Sequence, residues 1–272
     1  MLKKMKNCIV CSNENLKKKK LPNPKNWPSF RKSIINICTE CEFAFVSNFN
    51  GKLSNFYSHE YYDSKKDFEL PRKSFLFYLS SLKRLFFKPS HLHIIIKRNL
   101  FKNYDKILEI GAGQATLLTE IKKSNPLKKI NYFILEHEST FDNYYKQMNF
   151  RSIKNIKNKK FDYILSEHLF EHLENPLGDL KTYYQCLRKG GKIIFIIPNS
   201  YKDKNYFAPH LTYWNKHNIS LCLKKFFKNL FVDTLGASEE EYKLNSYNKI
   251  LYGNRLRGDD LGRKIYVEII KK

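Results

Sequence analysis

Four of the six cysteines fall in two pairs, Cys8-x-x-Cys11 and Cys38-x-x-Cys41, with 26 residues between the pairs. A CxxC turn aims two thiolates at one centre, and two such turns supply the four ligands of a tetrahedral zinc site. Four protein ligands leave no open position, so the expected Zn2+ is structural and helps fold a segment too small to hold itself together. Disulfides are the competing use of these residues, and a reducing compartment disfavours them. Cys186 and Cys222 lie in helical patterns and read as small core residues.

A second set of residues centres on Gly111-Ala112-Gly113-Gln114-Ala115. The apolar run Lys106–Ile110 precedes it as a short buried strand, and Thr116 to Lys123 follows as a helix with Leu117, Leu118 and Ile121 apolar. Strand, glycine turn and helix together open a doubly wound α/β sheet. The glycines let the backbone approach a ligand, and the helix start offers free N–H groups. A dinucleotide fingerprint needs a glycine where Thr116 stands. Instead Glu109 lies two residues before the first glycine, and Glu136 ends the next strand, Tyr132–Leu135. A carboxylate at that strand end is placed to accept the ribose hydroxyls of an adenosine.

Four segments in order, Leu108–Gly113, Glu136, Phe161–Leu173 and Gly190–Asn199, resemble the class I S-adenosylmethionine-dependent methyltransferases. The match is to the branch whose fourth strand ends in H-x-x-E-H-x-x-x-P, here His168, Glu171, His172 and Pro176. Cys38 and Cys41, then Phe43–Val46, Tyr57 and Tyr61-Tyr62 are similar to the zinc-containing members encoded with sugar and surface-polysaccharide pathways. The resemblance implies a Rossmann-like doubly wound sheet that binds S-adenosylmethionine through Glu109, Gly111, Ala112, Gly113, Glu136 and Ser166. It departs from the pattern at Ala115, where a third glycine is usual, and at Ile153–Ile156, which offers no acid after the third strand.

The same resemblance places substrate-facing residues after the fifth strand. Phe207–Trp214 is similar to an H-x-x-Y-F element, which makes His210 the expected general base with Tyr213 beside it. Histidine suits that role near neutral pH. C-methylating members carry Tyr and Glu where Phe207 and Pro209 stand, so O- or N-methyl transfer is favoured. His168 is expected to contact substrate or cofactor, while Glu171 and His172 read as helix-start scaffold. H-x-x-E-H also fits the inverted zinc-protease signature, but here it follows directly on a buried strand.

Positioning these groups requires three expected units. They are a four-cysteine zinc-ribbon-like module over 1–48, a mainly helical connector or lid over 49–100, and the methyltransferase domain over 101–272. Glu42–Val46 reads as a strand, 68–100 as helix, and Leu177, Leu180, Tyr184 and Leu187 as one helix face that Gly190 terminates. Lys264–Ile270 reads as a strand at an antiparallel edge, and Lys17–Lys20 as a loop.

With 42% hydrophobic and 15% aromatic residues among 272, the chain is not disordered. No apolar run approaches the roughly 20 residues that span a bilayer, and Ile193–Ile197 stops at Pro198. Met1–Cys8 lacks a signal-peptide core, so a cytoplasmic location is expected. The net charge of +24 reads either as solvated lysine background or as the mark of a polyanion partner.

The substrate expected on these grounds is a small hydroxylated metabolite, such as a nucleotide- or carrier-linked sugar. An RNA methyltransferase with a zinc knuckle is an alternative. Against it, the cysteine pairs lack mixed Cys/His ligation, and Ser166–Leu169 occupies the place of an N-P-P-Y-type motif. A non-catalytic S-adenosylmethionine-binding module is a further alternative, suggested by the missing third-strand acid.

Overall fold

The structure, a computed structural model, describes residues 5–22, 28–49, 92–200, 206–238, 240–241 and 255–272. Tyr57, Tyr61, Tyr62 and most of the expected 68–100 helix lie outside the described residues. Helix α1 (Leu92–Arg98) ends that segment.

The larger sheet has seven strands: β4 (Lys106–Ile110), β5 (Asn131–Leu135), β6 (Arg151–Ser152), β7 (Phe161–Glu167), β8 (Leu187–Pro198), β10 (Leu230–Leu235) and β11 (Lys264–Ile270). Their order is β10-β11-β8-β7-β4-β5-β6. The five strands from β8 to β6 run parallel, and β11 lies antiparallel between β8 and β10. A parallel sheet is covered on both faces, so its strands are continuously apolar. In β8, Ile193, Phe195 and Ile197 enter one core while Ile194 and Ile196 enter the other. Helices α1, α2 (Thr116–Ser124) and α3 (Asp142–Gln147) cover the second face. Helices α4 (Pro176–Gln185) and α5 (Lys216–Lys224) cover the first, together with the N-terminal unit. The fold is thus a Rossmann-like α/β sheet.

The N-terminal unit builds a second sheet from β1 (Leu16–Lys20), β2 (Ile34–Cys38), β3 (Ala44–Ser47) and β9 (Thr212–Tyr213), in that order. Strand β9 comes from far along the chain, pairing Tyr213 with Ala44 and Thr212 with Phe45. The two sheets share one core, in which Trp214 meets Phe43 at 4.5 Å and Phe170 at 5.5 Å between ring centroids.

Three local expectations are corrected. The Lys17–Lys20 run is strand, not loop. It forms the edge of the smaller sheet, where exposed lysines deter further pairing. Gly190 does not end a helix, because α4 stops at Gln185 and Leu187 already belongs to β8. Gly190, at φ +77°, and Gly191 instead form a bulge where the β7–β8 register slips, and a Cβ on Gly191 would lie 3.0 Å from the Asp162 carbonyl. Strand β11 is interior, and the edge belongs to β10.

Candidate active site

Parallel strands bring their C-terminal ends to one rim of the sheet, where ligands bind in open α/β folds. Ile110, Leu135, Glu167 and Pro198 end β4, β5, β7 and β8 at that rim.

After β4 the chain turns through left-handed positions at Gly111 (φ +62°), Gly113 (φ +48°) and Ala115 (φ +50°). The turn is anchored by the Gly111 N–H, which donates to the Leu135 carbonyl at 2.9 Å. The Tyr145 hydroxyl, in turn, donates to the Gly113 carbonyl. Around Gly113 a Cβ would meet nothing within 4 Å, so the backbone there faces open space that a ligand can approach.

Glu136 reaches this open side. Its Oε2 accepts the Gly113 N–H at 2.9 Å and its Oε1 the His137 N–H at 2.8 Å. Glu109 points elsewhere. It is buried beneath the turn, where Oε2 accepts the Leu118 N–H of α2 at 3.0 Å. Burial pushes its carboxyl up to about 8, against the pull of that N–H. Ala112 is buried as well, and Ser166 lies half-buried near the end of β7. This arrangement fits S-adenosylmethionine at Gly111, Gly113 and Glu136, with Glu109 and Ala112 shaping the turn from behind.

The residue after β7, His168, sits at φ +52°, so the chain bends sharply into a 3-10 turn over Phe170–His172. Three histidines converge there on the carboxylate of Glu171, whose side chain is only 2% exposed. Its Oε1 lies 3.1 Å from His168 Nδ1, 3.9 Å from His172 Nε2 and 4.0 Å from His210 Nε2. Burial acts to raise the Glu171 pKa. The hydrogen bond with His168 and the charges of His172, His168 and His210 outweigh it, leaving the carboxyl below its ordinary value. His210 is pushed down to about 4, first by burial and then by His172, so it is a neutral imidazole near pH 7. His168 is the open member, 41% exposed at its side chain.

In sequence Glu171 and His172 read as scaffold, whereas the structure makes Glu171 the hub of the cluster. The spacing in H-x-x-E-H is visible in the chain, but the convergence of His210 on it depends on how a distant segment returns. That return is made by backbone pairing. The Leu211 N–H donates to the Glu171 carbonyl at 2.8 Å, and the Val46 N–H to the Leu211 carbonyl at 2.8 Å. Tyr213 does not present its hydroxyl to the rim. The hydroxyl is engaged with the carbonyls of Phe207 at 2.9 Å and His210 at 3.2 Å, and burial raises its pKa above the usual phenol range.

The four paired cysteines also meet. Sγ of Cys8 lies 3.5 Å from that of Cys41, Sγ of Cys11 lies 3.4 Å from that of Cys38, and all four lie within 4.8 Å of one another. Zinc–sulfur bonds near 2.3 Å imply sulfur separations of about 3.8 Å, so the donor set fits a four-thiolate metal centre. The hydrogen bond between Cys8 and Cys41 pulls the Cys8 thiol down and pushes the Cys41 thiol up. Cys186 and Cys222 are buried, as expected. Among the described residues, no helix is long and apolar enough to cross a membrane.

Comparison with known proteins gives one family and several similar structures. No curated protein matches the chain. A methyltransferase from Haloferax volcanii, solved with its Trm112 activator, is 12% identical over 72% of this chain and 95% of its own, with a TM-score of 0.48. An S-adenosylmethionine-dependent methyltransferase from Thermotoga maritima is 18% identical over 80% and 99%, with a TM-score of 0.49. The plantazolicin methyltransferase BpumL is 19% identical over 80% and 94%, also with a TM-score of 0.49. The model of the methyltransferase domain matches residues 72–233, more than half of the chain. The chain therefore belongs to the methyltransferase domain family and is an S-adenosylmethionine-dependent methyltransferase.

Proposed function

We propose that the protein moves a methyl group to an oxygen or nitrogen of a small hydroxylated metabolite, a sugar or surface-glycan precursor linked to a nucleotide or another carrier. The observation that carries this reading is the meeting of Leu169 with Gly111. A Cβ on Gly111 would lie 2.8 Å from Leu169 Cδ1, so the residue after His168 lies against the cofactor turn. The histidine cluster therefore opens beside the methyl source.

When bound, S-adenosylmethionine supplies an electrophilic methyl on a sulfonium, which passes in line to the acceptor as the sulfur–carbon bond breaks to a neutral thioether. The chain's residues do the rest. Gly111 and Gly113 admit the cofactor, Glu136 accepts its ribose hydroxyls, and Ser166 borders it at β7. The ionised Glu171 holds the Nδ1–H of His168, which leaves Nε2 with a lone pair to take the acceptor proton. This moves the base from His210 to His168. A buried imidazole held near 4 is a weak base at neutral pH, whereas His168 is exposed and oriented. His210 and Tyr213 then act by position, and Zn2+ on Cys8, Cys11, Cys38 and Cys41 holds the sheet that carries β9. The base contributes about 10²–10⁴-fold, and alignment of the acceptor can contribute more.

The substrate class rests on the resemblance to sugar-pathway methyltransferases. The acceptor atom rests on Phe207 and Pro209, which offer none of the acid chemistry of C-methylating members. The test has two stages: calorimetry with S-adenosylmethionine, then transfer of methyl label into a panel of nucleotide sugars and, in parallel, RNA. Binding with label in the sugar fraction is expected. Label in RNA overturns the substrate class, and no binding overturns the reading.

A further inference from the structure

The geometry points to a divalent cation site formed by Glu171, His172 and His210. It is separate from the four-cysteine centre. One donor atom from each of these three residues lies within 4.8 Å of the other two. Two imidazole nitrogens stand 3.9 and 4.0 Å from one carboxylate oxygen. Bonds of about 2.1 Å to a shared ion set such donors roughly 3.0 to 3.4 Å apart, so each gap must close by several tenths of an ångström.

An independent observation concerns the same carboxylate. Oε2 of Glu171 is buried and has no hydrogen-bond partner among the described residues. Buried carboxylate oxygens are normally satisfied, and one left open is costly unless something absent from the protein chain satisfies it. The histidines also have the character of ligands. His172 Nδ1 lies 3.4 Å from the Pro209 carbonyl, which can accept its hydrogen in the neutral tautomer whose Nε2 is the basic nitrogen, 3.9 Å from Glu171 Oε1. A fixed outer hydrogen bond of this kind orients a metal-binding imidazole. His210 is buried and its ring packs edge-on at 4.8 Å from that of His172, so the two rings hold one another.

Two imidazoles and one carboxylate suit a first-row transition ion such as Mn2+, Fe2+, Co2+ or Zn2+ and leave coordination positions open. This deepens the proposed function and rests on it for the acceptor. An ion here would take hydroxyl oxygens of the acceptor and lower the pKa of one of them. The O–H bond would break with its proton going to His168 Nε2, and the oxygen lone pair would form the new bond to the methyl carbon as the sulfur–carbon bond of the sulfonium breaks to the neutral thioether. His168 stays outside the ligand set as the exposed proton acceptor.

Cobalt(II) is the probe, added to protein whose four-cysteine centre is zinc-loaded, with neither S-adenosylmethionine nor acceptor present. The expected result is saturable uptake of one ion per chain, with a visible d–d band, no added sulfur-to-cobalt charge transfer, and hyperfine-shifted imidazole N–H resonances. His172→Gln and His210→Asn are each expected to weaken uptake by on the order of tenfold or more. No saturable uptake, or uptake that both variants leave unchanged, overturns the site. If the variants do not fold, the imidazole resonances of the wild-type protein decide, and their absence overturns it. Because this readout needs no methyl transfer, cobalt uptake without turnover refutes only the proposed function. Turnover without cobalt uptake refutes only the site.

Discussion

The Glu136 carboxylate closes on the backbone of Gly113, with Oε2 accepting the Gly113 N–H at 2.9 Å. This bond ties the end of β5 to the turn after β4 and sets a negative charge beside the open face of the glycine turn. Glu136→Ala removes the carboxylate proposed to accept the ribose hydroxyls without disturbing a core, since the side chain is only half-buried. Hydrogen bonds to charged groups contribute about 1.5–3 kcal/mol, so S-adenosylmethionine affinity is expected to fall roughly 10- to 100-fold. Calorimetry checks this, with a melting temperature close to wild type as the control. Unchanged affinity would remove Glu136 from the cofactor site.

Gly111 and Gly113 separate two costs of adding a methyl group. Both have φ in the left-handed region, where any L side chain costs about 1–2 kcal/mol. Only at Gly111 does the new Cβ also strike a side chain, 2.8 Å from Leu169 Cδ1. Gly111→Ala is therefore expected to melt lower than Gly113→Ala and to slow methyl transfer more, because a displaced Leu169 shifts His168. Thermal unfolding and turnover of the two variants test the ordering.

The parts legible in the sequence share a cause. Ile107–Ile110 and Ile193–Ile197 are buried on both faces and Tyr132–Leu135 alternates buried with half-buried, so each announces itself as a mainly apolar run. The glycine turn is legible because so few residues can hold φ near +50° or +60°. The cysteine pairs are legible because four thiols at that spacing have few other uses. What is not legible depends on contacts between distant segments. Strand β9 is two residues long and exists only because β3 is there to receive it. Lys17–Lys20 lacks every apolar signal of a strand, since an edge strand can leave its side chains in water. The Glu171 cluster joins a turn after β7 to a loop some forty residues later, and neither piece alone identifies the carboxylate as central.

Glu109 gives the protein a pH-dependent weakness. Its carboxyl has an ordinary value of 4.5 and stands near 8 when folded, raised by burial. The folded state thus binds this proton more tightly than the unfolded chain. The resulting stability is fully present below about pH 4.5 and is lost as pH rises through about 8. Glu109→Gln keeps an acceptor for the Leu118 N–H but carries no proton to lose. Its stability relative to wild type is expected to rise between pH 5 and pH 8.5, by on the order of a few kcal/mol at the upper end. Denaturant unfolding of both proteins across that range tests it, and a pH-independent difference would contradict the buried, proton-bound carboxyl.

Tyr213→Phe tests whether the phenol acts directly or holds a loop. The hydroxyl is engaged with the Phe207 and His210 carbonyls, so its loss should cost about 1 kcal/mol of stability and loosen His210. Turnover is expected to fall while the shape of its pH profile stays the same. A changed alkaline limb would mean that the phenol titrates in the reaction.

Metal at the four-cysteine centre is expected to matter for turnover more than for cofactor binding. The N-terminal sheet receives β9 on β3, and the Asn218 side chain of α5 donates to the Cys41 carbonyl at 3.3 Å. The Lys225 ammonium, at the end of α5, donates to the Val10 carbonyl. Loosening the cysteine turns therefore frees the segment that delivers His210, while Gly111, Gly113 and Glu136 stand on the other sheet. Cys11, the least buried of the four clustered cysteines, can be changed with little loss of packing. Cys11→Ser is expected to lower zinc content and melting temperature, since bound metal contributes directly to folding. Transfer rate should drop by a larger factor than S-adenosylmethionine affinity. Equal losses in both would place the cysteine unit's influence on the whole fold and not on the histidine cluster.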